Sequence, residues 1–363
     1  TFFKTLGPAV IGSAGVQIAI FADTIIASFL PTGAVSSLYY ADRIYQLPLG
    51  VIGIAAGTVL LPEMSRRIAL NAIAPIWDGN EVWLVIGGGA LFAGFPIAYA
   101  AIFSAFYVPF MVFLVGLIWR GVAIEFRSKE PGRLWRQTWD IVYCFASVVI
   151  ALSLGLMLGN VAMGITLNEH KEFSGDWLSF FNPFSILVAI TTLALFMMHG
   201  AIYLVMKTEN RLYTKLYLLA RQFIIFFVLS FVITTLYTLL YVPHLSNFFR
   251  DHPSSFIIPV LMVLAIANIP RQLKIGKYRF AFISSSVTIA LLLIMVALEV
   301  FPYLLYSSGN PENSITVHNA AASPKTMRIL LIIALIGTPL VAIYTSFVFW
   351  TFKGKVKLDE HSY

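Results

Sequence analysis

From Val82 to Trp119 the chain carries no charged residue. A single helix over 82–126 would run to roughly 67 Å, more than twice the hydrocarbon core of a bilayer. The run must therefore fold back on itself, and Ser104–Pro109 is where the turn is expected. Comparable apolar runs recur along the chain, at 9–30, 47–62, 82–103, 107–126, 141–166, 184–206, 222–243, 255–270, 280–305 and 327–352. Each is long enough, or nearly so, to cross a membrane as a helix. β-barrel strands would be shorter and would alternate polar with apolar residues, which these do not. The expected fold is all-α, a polytopic transmembrane bundle of about ten helices. Composition agrees: 59% of the 363 residues are hydrophobic and 11% charged, which excludes a water-soluble globule, and 15% aromatic residues exclude a disordered chain.

The +7 net charge does not point to nucleic acid, because the basic residues form short clusters between apolar runs instead of one face. Arg127, Lys129, Arg133 and Arg136 make one cluster; Lys207, Arg211, Lys215 and Arg221 a second; Arg271, Lys274, Lys277 and Arg279 a third; Lys353, Lys355 and Lys357 a fourth. The intervening loops are poor in Lys and Arg. By the positive-inside rule the rich loops and both termini are expected in the cytoplasm, and ten crossings return the chain to its starting side. Loops 167–182 and 306–326 read as plain turns. The chain begins at Thr1 with no visible signal peptide, so it is expected to be a fragment of something longer.

Charges inside an apolar span are costly and mark candidate functional positions. Here they are Asp23, Arg120, Glu125 and Glu299, with Asp78 and Glu81 at the mouth of the third span. Asp78 and Glu81 are three apart and share a helix face, and Glu125 stands near the same end of the next span. Three carboxylates would then gather at the cytoplasmic end of one helix pair. They could pass protons inward, or simply pair with Arg120 or Arg127, and the spacing leaves both readings open. Arg120 and Glu125 are five apart and cannot pair well with each other, so each needs a partner on another helix or subunit. Arg120 is assigned a structural charge.

His199 follows Met197 and Met198 and reads as a hydrogen-bonded core residue, since neighbouring positions on one helix cannot ligate opposite faces of a haem. The other histidines form no ligand cluster, and no metal site is expected. The lone Cys144 reads as inert packing and excludes an internal disulfide. The GxxxG spacings Gly53/Gly57 and Gly155/Gly159 permit close helix approach. Phosphate-loop, zinc-protease and nucleophile-elbow motifs are absent from the sequence. No catalytic centre is expected on this chain.

The block Asn71-Ala-Ile-Ala-Pro-Ile-Trp-Asp-Gly-Asn-Glu-Val-Trp-Leu84 resembles the signature of subunit II of cytochrome bd-type quinol oxidases. Trp119-Arg-Gly-Val-Ala-Ile-Glu-Phe-Arg127, Met198-His-Gly, Lys207-Thr-Glu209, Asn319-Ala-Ala-Ala-Ser-Pro-Lys-Thr326 and Lys357-Leu-Asp-Glu follow in the family's order. The resemblance covers roughly Arg66–Tyr363. It implies a bacterial inner-membrane subunit paired with a haem-bearing subunit I, in a complex that oxidises quinol and reduces dioxygen with protons from the cytoplasm. The haems belong to subunit I, and this chain alone binds no cofactor, although a quinone would be in keeping. Asp78 and Glu125 match positions proposed to carry protons, and Glu81 joins them as the third carboxylate of the path.

Residues 1–68 resemble something else, the lipid II flippase family. The matching segments are Leu6-Gly-Pro-Ala-Val, Asp23-Thr-Ile-Ile-Ala-Ser-Phe-Leu30, Tyr39-Tyr-Ala-Asp-Arg-Ile44, Gln46-Leu-Pro-Leu-Gly50 and Gly57-Thr-Val-Leu-Leu-Pro62. In that family the residue matching Arg43 meets the substrate's pyrophosphate, for which an Arg is well suited. The chain thus reads as a chimera joined near Ser65–Leu70: about two flippase-like helices in 1–68 and about eight oxidase-like helices in 69–363. The competing functions are a flippase fragment and a purely structural membrane subunit. The expected partners are subunit I, quinol and membrane lipid, with no nucleic acid.

Overall fold

A computed structural model divides the chain into two compact units, Thr1–Leu60 and Leu61–Tyr363. The structure describes residues 63–356. Spans 9–30 and 47–62, Asp23, Arg43 and the flippase-like segment lie outside the described residues.

Within the described residues the chain is helical: α1 (Glu63–Gly94), α2 (Pro96–Ala105), α3 (Tyr107–Phe126), α4 (Arg133–Met163), α5 (Pro183–Lys207), α6 (Asn210–Tyr241), α7 (Asn247–Asp251), α8 (Ile257–Lys274), α9 (Tyr278–Val300) and α10 (Pro324–Thr351). Seven of them (α3, α4, α5, α6, α8 with the turn before it, α9 and α10) are long and apolar enough to cross a membrane. Local chemistry sets the boundaries. Pro96, Pro183 and Pro324 open their helices, where a missing N–H costs nothing. Asn182 and Ser323 cap α5 and α10 by accepting from the amides of Ser185 and Thr326. Gly164, at φ +93°, ends α4.

The fold-back of the uncharged run occurs at Phe106, between α2 and α3, inside the expected turn. The preceding span differs from the expectation. Instead of one helix over 82–103, α1 starts at Glu63 and runs 32 residues, about 48 Å, before a break at Phe95. Residues 96–105 form the separate helix α2, packed with Phe106, Phe180, Leu305 and Ile315 in one apolar core. The polar block Trp77–Glu81 looked like the end of a span because its side chains are not apolar. Its backbone nevertheless stays helical, and Glu81 sits about 20 Å along α1 from Gly94.

Close packing follows small residues. A Cβ on Gly155 would stand 2.5 Å from Ala189 Cα, and one on Gly159 2.7 Å from Ser185 Cα, so α4 and α5 touch backbone to backbone along that spacing. Asn160, on the same helix, donates to the Phe180 carbonyl (2.9 Å) and accepts from Asn182 (2.9 Å). α10 has no buried residue, and it rests on α1 where Leu330 and Met327 pass Gly94 and Tyr344 passes Gly79.

The loops sort into two ends. At one, Tyr213 and Tyr278 share a hydrogen bond (2.6 Å), Lys355 donates to the Thr208 carbonyl (2.7 Å), and Lys207 donates to the Phe352 carbonyl. This end gathers the basic clusters at 127–136 and 271–279 together with Lys207, Arg211, Lys215, Lys353 and Lys355. At the other, the expected plain turns are knitted together: β1 (Tyr303–Leu305) pairs antiparallel with β2 (Ile315–Thr316), Ile165 bridges Ser307, and Asn313 donates to the Leu167 carbonyl (3.0 Å). The polar composition of these loops supplies inter-loop hydrogen bonds as well as solvation.

Candidate functional site

The charged residues singled out from the sequence meet different fates at the basic end. Arg127, just past α3, donates to Asp140 on α4 at 2.7 Å, with the two side chains 3% and 9% exposed. One of the two arginines offered as carboxylate partners is thus committed to Asp140. The sequence reading missed Asp140, although a short connection between antiparallel helices brings residues flanking it face to face. Arg120 lies one to two turns higher on α3, with its guanidinium 5.4 Å from the centre of the Tyr143 ring and its buried Nε without a hydrogen-bond partner.

Glu81 and Arg120 line the same cavity, about 390 Å³ in volume, together with Trp77, Asn80, His199, Tyr203, Phe282 and Phe349. Its walls come from α1, α3, α5, α9 and α10. Depth follows from register. His199 and Tyr203 stand eight and four residues from the end of α5, Phe282 four residues into α9, and Phe349 two residues from the end of α10. At 1.5 Å per residue the cavity begins within about one turn of the basic end and reaches about 12 Å inward. Trp77 closes part of it against α3, where a Cβ on Gly121 would stand 2.9 Å from Trp77 Cη2. Tyr203 ties α5 to α1 by donating to the Ala72 carbonyl at 2.9 Å.

Glu125 sits in the last turn of α3 on an exposed face and does not line this cavity. The backbone of Asp78 belongs to α1, three residues before Glu81, and its side chain lies outside the described ones. Glu299 ends α9 at the opposite end of the bundle. The sequence reading missed His199, Tyr203 and Asn80 as site residues. His199 was legible only as an isolated polar residue on an apolar helix, and nothing local signals that α1, α3 and α9 converge on it. Met198, beside it, is fully buried, and the His199 Nδ1 is held by Ser285 at 2.8 Å. No group of three His, Cys, Asp or Glu side chains able to hold a metal occurs among the described residues.

A carboxylate, a guanidinium and an imidazole line one mostly apolar cavity near the basic end, and the seven helices of membrane length make this a multi-pass membrane protein. The family model of cytochrome bd terminal oxidase subunit II matches residues 14–352, and the chain belongs to that family. It is a membrane subunit of the bd-type quinol oxidase class. It is 28% identical to the cytochrome bd-I ubiquinol oxidase subunit 2 of Escherichia coli, over 82% of this chain and 86% of that protein. It is 31% identical to a probable cytochrome oxidase subunit 2 of Haemophilus influenzae, over 79% and 85%. The solved bd oxidase of Geobacillus thermodenitrificans shares the fold, with a TM-score of 0.64 at 18% identity over 85% of this chain and all of that one. A short segment matches otherwise: 70 residues, 19% of this chain, are 53% identical to 15% of a probable lipid II flippase of Helicobacter pylori. The oxidase family match nonetheless reaches back to residue 14, into the stretch read as flippase-like.

Proposed function

We propose that this chain supports a haem-bearing subunit I and carries protons to it from the cytoplasmic side through Asp78, Glu81 and Glu125, in a complex that oxidises quinol and reduces dioxygen. The observation that carries the reading is the placement of Glu81. It lines a cavity that begins within about a turn of the basic end, beside Arg120 and His199 and with room for several waters. Lys and Arg concentrate at that end, which the positive-inside rule assigns to the cytoplasm together with both termini. A carboxylate there can take a proton from water that enters the cavity and pass it on. Glu125, on the exposed last turn of α3, is the outer acceptor. Haem chemistry stays with subunit I.

Residues 1–68 are read as a flippase-like piece joined to an oxidase-like 69–363, in keeping with the short flippase matches. Two helices do not build a two-lobed transport cavity. Arg43 would contact a lipid pyrophosphate only in the flippase context.

The test is oxygen consumption per assembled complex for Asp78→Asn, Glu81→Gln and Glu125→Gln. A proton path predicts normal yield with turnover reduced about tenfold or more for Glu81→Gln, the usual scale for a lost proton-transfer group. A purely structural role predicts lower yield with unchanged turnover in each surviving complex.

A further inference from the structure

His199 enters no part of the function argued so far, yet it is the one imidazole in the cavity, and its orientation is fixed. Its Nδ1 lies 2.8 Å from Ser285 Oγ, and Ser285 donates its own proton to the Phe282 carbonyl at 2.8 Å. A hydroxyl has one proton to give, so Ser285 accepts from His199, and the neutral ring carries its hydrogen on Nδ1. The Phe282 ring stacks on the imidazole at 4.8 Å and 27° and blocks rotation. Nε2 is left with a free lone pair. It is not among the buried side-chain atoms lacking a partner, so it is open to the cavity that His199 lines.

We propose that His199 is a second proton carrier of this chamber, exchanging a proton with Glu81 through cavity water at Nε2 alone. This rests on the reading of Glu81 as part of a proton path. The step balances simply: Nε2 takes a proton from a water that Glu81 reprotonates, the ring becomes an imidazolium, and the same nitrogen releases the proton onward. The Nδ1–H bond to Ser285 persists throughout, so the ring neither flips nor loses its anchor. The charged side chains that line the cavity with His199 are Glu81 on α1 and Arg120 on α3. Tyr203 lies one turn further along α5, already bonded to Ala72, and Lys207 a turn beyond, bonded to Phe352. α9 and α10 contribute only Ser285, Phe282 and Phe349, which are uncharged. An imidazole can accept a proton at Nε2 and release it from the same nitrogen.

The experiment uses the purified two-subunit complex. His199→Asn keeps a short polar group for Ser285 and removes Nε2. Turnover should fall by about tenfold. Free imidazole should restore turnover to His199→Gly, which opens a matching space beside the cavity. Wild-type turnover in His199→Asn overturns the proposal. Glu81→Gln is measured in parallel. A slow Glu81→Gln beside a normal His199→Asn removes His199 alone, whereas a normal Glu81→Gln removes the path on which the proposal rests. If the variants fail to assemble, diethyl pyrocarbonate treatment of the wild-type complex, mapped by mass spectrometry, decides. Loss of turnover that tracks modification of His199 supports the role. Modification without loss, or no modification at all, refutes it.

Discussion

Asp140→Asn is the substitution whose cost the structure fixes most directly. It keeps the shape of the side chain and removes the charge that faces Arg127. Arg127 Nε meets Asp140 Oδ1 at 2.7 Å between side chains that are 3% and 9% exposed, and Arg127 Nη2 is already buried without a partner. Two unit charges about 4 Å apart attract by about 4 kcal/mol at the effective dielectric of a protein. Water cannot reach the guanidinium to replace that loss, so an uncompensated buried cation remains. Breaking such a pair from one side typically costs about 3–5 kcal/mol. For a chain of this size that lowers the melting temperature of the detergent-solubilised complex by on the order of 10 °C. The assay is thermal unfolding of wild type, Asp140→Asn and the double variant Arg127→Met/Asp140→Leu. The double variant should recover most of the loss, because an apolar pair of similar volume leaves nothing charged behind. If Asp140→Asn melts with the wild type, Arg127 has another compensating partner and the assignment of this pair fails. If the double variant is as unstable as the single one, packing rather than charge is the cause.

Other consequences can be checked alongside. Gly155→Val places a side chain where Ala189 Cα is 2.5 Å away, so α4 and α5 must separate; yield of folded complex in membranes should fall sharply, while Gly88→Ala, which meets nothing within 4 Å, should be neutral. Asn160→Leu strips partners from the Phe180 carbonyl and the Asn182 amide and should cost about 2–4 kcal/mol, read by thermal unfolding. Lys355→Met removes one hydrogen bond, to the Thr208 carbonyl, and should cost about 1 kcal/mol with no change in turnover.

Much of this architecture was written in the chain at the level of single helices. Apolar runs of membrane length and strictly alternating basic loops located α3, α5, α6 and α10 within a few residues or a few turns, and the turn at Phe106 followed from length alone. The failures share one cause. Hydropathy reports how apolar a segment is, whereas the backbone of α1 stays helical through polar residues in mid-helix. Trp77 to Glu81 therefore looked like a boundary, and residues 96–105 looked like the continuation of a crossing although they form a helix tucked among loops. The site was half legible for the same reason. Glu81 and Arg120 stand out as charges in apolar surroundings. His199 joins them only through contacts made by Ser285 and Phe282, more than eighty residues away in sequence, and no local pattern records such a contact.

The central claim is that hydrogen ions enter through the chamber around Glu81. The direct measurement is proton uptake during the reaction of the reduced complex with oxygen, followed by a pH-sensitive dye confined to the basic side of reconstituted vesicles. Uptake in Glu81→Gln is predicted to lag behind wild type by about tenfold while the first electron transfer to oxygen keeps its rate. Uptake at the wild-type rate in that variant would contradict the account and leave this chain a scaffold.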